Sequence, residues 1–171
     1  MQGWRDTGRM DSSTPPDLAA LSRVRPATAA DAPALAALWR RAWASANPSV
    51  AGVAPLAHWL TRVQAEFGPP CLTLVGEQGG TTVAFLVLEM QASHLHQLFV
   101  DPGVQGGGIG AALVARVCTL CPQGWSLHVA SSNLRARRFY TRCGLQEHGH
   151  DRHPTTGRER VLCRWQPRAE P

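Results

Sequence analysis

The chain has 171 residues, 44% of them hydrophobic and only 17% charged, enough apolar material for a single core and too much for a disordered protein. No uncharged apolar run approaches eighteen residues, so no membrane-spanning segment is predicted. All 17 basic residues are arginine, which excludes a lysine-dependent Walker-type phosphate loop, while the net charge of +5 suits an anionic partner, either a nucleic acid or a phosphorylated small ligand.

Residues 1–21, including Ser12, Ser13, Thr14, Pro15 and Pro16, show no sustained period and are predicted to form a disordered tail ahead of one domain over residues 22–168. The tail has no apolar stretch like a signal peptide, and five cysteines is an odd number. A reducing cytoplasm without disulfides is therefore expected. A first strand is predicted over residues 22–26. Thr28 or Asp31 then caps a helix whose apolar positions Leu35, Leu38, Trp39, Ala42 and Trp43 recur at helical spacing, up to Asn47 and Pro48. A second helix from about Pro55 carries Leu56, Trp59, Leu60, Val63 and Phe67 on one face and stops at Gly68, Pro69 and Pro70.

From Cys71 the period changes to that of strands. Residues 72–76 and 82–90 flank a turn at Gln78, Gly79 and Gly80, and the second strand, apolar on both faces from Val83 to Leu88, is predicted to be central. A further strand covers residues 93–100. A glycine-rich loop then opens a helix over residues 108–121, with Leu113, Val114, Val117, Cys118 and Cys121 on one face. Trp125, Leu127 and Val129 alternate as the next strand, residues 134–142 form an arginine-rich helix ended by Gly144, and a hairpin of residues 146–153 and 159–165 closes the chain. Consecutive strands among helices imply a mixed sheet rather than a purely parallel one.

The chemistry concentrates where the fourth strand meets its helix. Gly106, Gly107, Gly108 and Gly110 let several backbone N–H groups converge, and the helix N-terminus adds its positive dipole end, so a diphosphate is the expected guest. Gly106, Gly108 and Ala111 also fit a dinucleotide fingerprint. That fingerprint wants an acid about twenty positions on, and around Ala130, Ser131, Ser132 and Asn133 there is none, which weakens NAD and leaves an NADP-binding reductase as a minor alternative. Cys118 and Cys121 have C-x-x-C spacing but read as core thiols. His148, His150 and His153 read as surface residues, and Trp39, Trp43 and Trp59 as core.

The run Val100-Asp101-Pro102 followed by Gln105-Gly106-Gly107-Gly108-Ile109-Gly110 resembles the acetyl-CoA-binding motif of the GNAT N-acetyltransferase superfamily, Q/R-x-x-G-x-G/A. Asn133, Ala136, Phe139, Tyr140, Gly144 and Leu145 resemble its second motif, N-x-x-A-x-x-F-Y-x-x-x-G-[FL]. The resemblance implies a single-domain α/β fold with a mixed, mostly antiparallel sheet of about seven strands and about four helices. It also implies acetyl-CoA as cosubstrate, a primary amine as acceptor, and direct attack without a metal. Backbone groups of Leu98, Phe99 and Val100 would pair with the pantetheine arm, and those of Gln105, Gly106, Gly107, Gly108, Ile109 and Gly110 would hold the pyrophosphate. Asn133, Ala136, Phe139 and Tyr140 would line the arm, with one or two of Arg135, Arg137, Arg138 and Arg142 reaching the 3′-phosphate. Tyr140, the only tyrosine, would hydrogen-bond the departing thiolate.

The family often places a glutamate on the strand before the loop, and this strand has none. His94 and His96, on one strand face, and Glu89 on the preceding strand are the candidate bases, beside a water chain. A small amine or amino-acid-like acceptor is favoured, with neither nucleic acid nor membrane as partner, and the chain is expected as a monomer or homodimer. A noncatalytic acyl-CoA-binding module is the alternative of a different class.

Overall fold

Residues 21–167 are described in the computed structural model of the chain. In chain order the elements are β1 (Arg23–Pro26), α1 (Ala32–Ala46), α2 (Leu56–Glu66), β2 (Cys71–Gln78), β3 (Thr81–Glu89), β4 (His94–Val100), α3 (Ile109–Leu120), β5 (Trp125–Ala130), α4 (Leu134–Arg142), β6 (Gln146–Arg152) and β7 (Glu159–Trp165). The expected mobile tail lies outside the described residues except for Leu21. That side chain is buried in the core and fills the space over Gly76.

The seven strands make one sheet in the order β1-β2-β3-β4-β5-β7-β6. Every neighbouring pair is antiparallel except β4 and β5, which are parallel because α3 carries the chain back across the sheet between them. The strand predicted to be central, β3, is third in the order, and β4 holds the middle. The reason for the apolar run in β3 is nonetheless visible. Phe85 and Val87 face a cluster with α1 and α2, whereas Ala84, Leu86 and Leu88 face a second cluster with α3. Both faces are covered, so both must be apolar.

Under α1 and α2 the packing is aromatic. Trp39 stands 5.0 Å from both Trp59 and Phe67, and the Arg62 guanidinium lies 4.3 Å from its ring centroid. The start of the α1 region is tied to the sheet by one arginine. Arg25 pairs with Asp31 at 2.8 Å and donates to Glu77 at 2.9 Å, while Asp31 also accepts from the Thr28 N–H at 2.7 Å. The guanidinium holds the Asp31 carboxyl far below the usual carboxylate range.

On the opposite face Ile109, Ala112, Leu113, Val114 and Val117 of α3 are buried. Cys118 is only half-buried, its sulfur accepting from Trp125 Nε1 at 3.4 Å, and all five cysteines are free thiols. No helix among the described residues is long and apolar enough to cross a membrane.

What positions the site is the middle of the sheet. Pairing between β4 and β5 is confined to His94 with Ser126 and Leu95 with Leu127. Past these residues β4 stays paired with β3, and β5 with β7, so the two central strands part company. The β4 edge from His96 to Val100 is therefore left without a partner strand on the β5 side.

Candidate active site

The glycine loop leaves the open end of β4 and is held by its own side chains. Asp101 accepts from the Gly103 N–H at 3.0 Å and pairs with Arg41 of α1 at 2.6 Å. The Arg41 guanidinium is the main reason its carboxyl titrates below the ordinary value. Gln105 folds back so that its Nε2 donates to the Val100 carbonyl at 3.0 Å. Gly106 and Gly108 take φ of 91° and 83°, a region that costs an L side chain roughly 1–2 kcal/mol. Gly108 is the N-cap of α3, and Ala112 donates to its carbonyl at 3.0 Å. The N–H groups of Ile109, Gly110 and Ala111 thus precede the helical ladder, with the positive end of the helix dipole behind them. Such a cradle can receive phosphate oxygens.

Across from it stands α4. Asn133 caps this helix, its Oδ1 accepting from the Ala136 N–H at 3.0 Å. One end of the Asn133 amide is therefore committed to the helix, and only its NH₂ group is left for an arm. Ala136 and Phe139 are half-buried against the α3 cluster. Tyr140 is 9% exposed, and burial raises its phenol above the ordinary value, so it remains a hydrogen-bond donor at every working pH. Arg137 is committed to Glu147 through two bonds of 2.8 and 2.9 Å and to the Ser131 carbonyl at 3.0 Å. Of the four arginines singled out in the sequence, only Arg135, Arg138 and Arg142 stand exposed.

On the other face of the sheet lie the candidate bases. A β-bulge at Val87 and Leu88 makes His96 the extra residue of β4, between Gln97 opposite Val87 and Leu95 opposite Leu88. His96 Nε2 lies 2.9 Å from Glu89 Oε2. The two groups proposed as rivals in the sequence are thus one hydrogen-bonded pair. With Glu89 ionised, Nε2 carries the proton and Nδ1 keeps a lone pair.

His94 is adjacent, its ring 4.9 Å from that of His96, and its Nδ1 is 2.9 Å from Ser126 Oγ. Burial, helped by the neighbouring imidazoles, lowers its pKa to about 4, so it is neutral at physiological pH. Sequence reasoning missed a third imidazole. His128 of β5 lies 5.2 Å from His94 and 3.3 Å from Asp151, which is itself clasped by Arg160. The alternation of Trp125, Leu127 and Val129 already put His128 on the opposite strand face. What the sequence lacked was the information that β5 lies beside β4. Among the described residues no group of three or more His, Cys, Asp or Glu is placed to hold a metal ion.

Residues 33–145, which carry the glycine cradle at the start of α3, the open β4 edge and the capped α4, match a family model described as acetyltransferase (GNAT) family. The chain belongs to the GNAT acetyltransferase family. The peptidyl-lysine N-acetyltransferase YjaB of Salmonella typhimurium is 39% identical over 67 residues, which are 39% of this GNAT chain and 44% of that protein. The match thus spans less than half of that relative's length. Among solved structures, apo YjaB from Escherichia coli superposes with a TM-score of 0.66 at 22% identity, covering 83% of this chain and 95% of that one. The PaiA N-acetyltransferase of Thermoplasma acidophilum in complex with coenzyme A gives 0.66 at 16% identity, covering 85% and 98%. Both superpositions show that this chain, with seven strands and four helices, shares the fold of these structures.

Proposed function

We propose that this GNAT protein transfers the acetyl group of acetyl-CoA to a primary amine by direct attack. The observation that carries the reading is the junction at Val100, where a strand edge without a partner runs straight into a backbone cradle for phosphate. The residues present fit acetyl-CoA. The amides of its pantetheine arm match the free edge of Leu98, Phe99 and Val100 as an added strand. Its diphosphate matches the N–H groups of residues 105–110, and Arg135, Arg138 and Arg142 supply charge for the 3′-phosphate.

A backbone N–H of the free β4 edge polarises the thioester carbonyl. The acceptor arrives as an ammonium on the face of the sheet that carries His96. One proton passes from the ammonium to His96 Nδ1, and Glu89 stabilises the resulting imidazolium. The free amine attacks the carbonyl carbon, the C–N bond forms and the C–S bond breaks. The second amine proton offsets the charge on sulfur, and CoA leaves as the thiol. Tyr140 donates a hydrogen bond to the departing sulfur. Its raised pKa makes full proton donation from the phenol more uphill than for a free tyrosine, so hydrogen bonding is its contribution.

A small amine or an amino-acid-like molecule is the acceptor favoured here. The similarity to a peptidyl-lysine N-acetyltransferase favours a second reading, a lysine side chain presented on a peptide. Acetyl-CoA-dependent turnover over a panel of small amines, amino acids and lysine peptides, with the acetylated product identified by mass spectrometry, decides between them. Acetyl-CoA is expected to stabilise the fold by about 2.7 kcal/mol at a hundredfold excess over its dissociation constant, and NADPH is not. Stabilisation by NADPH alone overturns the reading, and CoA binding without turnover on any amine class leaves a binding module in its place.

A further inference from the structure

Helices α1 and α2 cover only part of their side of the sheet. Their aromatic cluster takes in residues of β2 and β3 and Phe99 of β4, and among the described residues none of β5, β6 or β7 belongs to it. Leu95, Leu127 and Cys163 pack on the α3 side, so by strand alternation His94, Ser126 and Arg164 face the uncovered one. Phe85 and Val87 of β3 point the same way, and Glu89 follows them in the alternation. The register brings these polar residues into one row across four strands, with Glu89 opposite His94, His94 beside Ser126, and Ser126 opposite Arg164. This is the face on which His96 meets the acceptor.

The charges on this face are matched except one. Glu89 is bonded to His96, and Asp151 is held by Arg160 and lies 3.3 Å from His128. Arg164 is exposed and has no hydrogen bond or ion pair among the described residues. A lone surface arginine would mean little, but this one lines a cavity of about 220 Å³ together with Ser93, Gln123, Ser126 and Gln166, and no acidic residue lines it. Ser126 ties the cavity to the imidazoles: its Oγ is 2.9 Å from His94 Nδ1, and the His94 ring is 4.9 Å from that of His96. With strands about 4.8 Å apart, the backbone of Arg164 stands about 10 Å from that of His94, and the long arginine side chain covers much of that span. A cationic cavity with neutral polar walls thus begins one side chain away from the His96–Glu89 pair.

We infer that Arg164 binds a carboxylate of the acceptor in this cavity, so that the acceptor is an amino acid whose reacting amine lies several bonds from its carboxylate. The inference rests on the acetyltransferase reading above and names the acceptor class for it. A guanidinium offers two parallel N–H donors, the geometry that a carboxylate accepts. The amine is then held at His96 and the acid at Arg164, two fixed points on one sheet face. A lysine within a peptide chain has amides where such an acceptor has its carboxylate, and it forgoes this contact.

Acetyl-CoA-dependent turnover of a matched pair of amines, 5-aminopentanoate and its neutral amide 5-aminopentanamide, tests this on the full chain and on Arg164→Gln and Arg164→Lys. The unsubstituted protein is expected to favour the carboxylate about tenfold in kcat/KM, the usual worth of a charge-assisted hydrogen bond. Arg164→Gln is expected to abolish that preference by raising KM for the carboxylate, with the amide turned over within about twofold of the unsubstituted rate, and Arg164→Lys to restore part of it. Equal turnover of acid and amide by the unsubstituted protein, or turnover of other amines but of neither member of the pair, overturns the inference while leaving the acetyltransferase reading standing. A preference that survives in Arg164→Gln overturns it by assigning the carboxylate to another cation, and an equal loss on both amines overturns it in favour of a structural role for Arg164. Failure of the unsubstituted protein to acetylate any amine class removes the acetyltransferase reading and this inference with it.

Discussion

Gly110 lies directly against the ring of Phe139: a methyl group placed on its Cα would sit 3.1 Å from Cζ and 3.3 Å from Cε2. The two sequence motifs, one opening α3 and the other in α4, are therefore in contact through a position where nothing larger than hydrogen fits without movement. Gly110→Ala gains about 1 kcal/mol of helix propensity and loses about 1–3 kcal/mol to overpacking, so its stability should fall by about 1 kcal/mol. Its larger effect is expected on CoA, whose binding should weaken severalfold as Phe139 is pushed into the gap. Gly108→Ala is the contrasting case, because open space surrounds its Cα but φ is 83°. Urea unfolding and CoA titration of both variants check this, and a Gly110→Ala protein with unchanged CoA affinity would show that Phe139 yields away from the site.

Tyr140→Phe removes the hydroxyl that the proposed mechanism assigns to the leaving group and keeps the ring packed in the α3 cluster. Turnover is expected to drop about tenfold to a hundredfold with acetyl-CoA affinity nearly unchanged, the signature of an interaction made mainly in the transition state. Because burial holds the phenol above its ordinary pKa, Tyr140 should produce no alkaline limb below pH 10. Pre-steady-state measurement of the chemical step is the deciding experiment, and an unchanged chemical rate reduces Tyr140 to packing.

Local pattern made much of this legible in advance. The four helices and six of the seven strands follow from apolar periods and from glycine and proline punctuation, the exposed β6 follows only as the partner of β7 across a turn, and the cradle follows from four glycines at a strand-to-helix junction. The sequence could not show which strands are neighbours. Glu89 and His96 were separate candidates because their pairing depends on a bulge that makes His96 the extra residue of β4. His128 was overlooked because β5 meets β4 only through two residue pairs after a helical crossover. Arg137 looked available for phosphate until Glu147, on the following strand, claimed it. Long-range partners of charged side chains are a property of the folded surface and leave no local period.

Asp101 links the glycine loop to α1, and its two roles separate by mutation. Arg41→Ala removes an ion pair whose arginine is half exposed and should cost less than about 1 kcal/mol. Asp101→Ala also leaves the Gly103 N–H without its acceptor and should cost about 1 kcal/mol or more, with a higher KM for acetyl-CoA and little change in kcat. Equal effects of the two substitutions on KM would mean that the loop is set by the ion pair alone.

His94 makes stability depend on pH in a window of its own. Its folded pKa is lowered to about 4 from the ordinary 6.5, so the unfolded chain binds more protons between these values. Stability is complete above about pH 6.5 and declines as pH falls toward 4, by about 1–2 kcal/mol after allowance for solvent screening. His128, also lowered by burial, adds in the same direction. The lowered carboxyls of Asp101 and Asp151 lose their contribution only further down, below about pH 4. His94→Gln should flatten the dependence of urea midpoint on pH between 4.5 and 6.5, and an undiminished slope would assign it to other groups.

The same neutrality separates the two β4 histidines in catalysis. A group that titrates near pH 4 cannot set an acidic limb close to neutrality, so any such limb in kcat belongs to the His96–Glu89 pair or to the acceptor amine. His96→Ala should lower kcat at neutral pH by about 10²–10⁴ and abolish the limb. Glu89→Ala, which leaves the imidazole without its orienting acceptor, should cost about tenfold, and His94→Ala less than either. Profiles measured with two amines whose pKa values differ by two units divide the cases. A limb that stays fixed for both amines and disappears only in His96→Ala identifies the base. A limb that moves with the amine and persists in His96→Ala means that the acceptor enters already deprotonated, and then no side chain on this face acts as base.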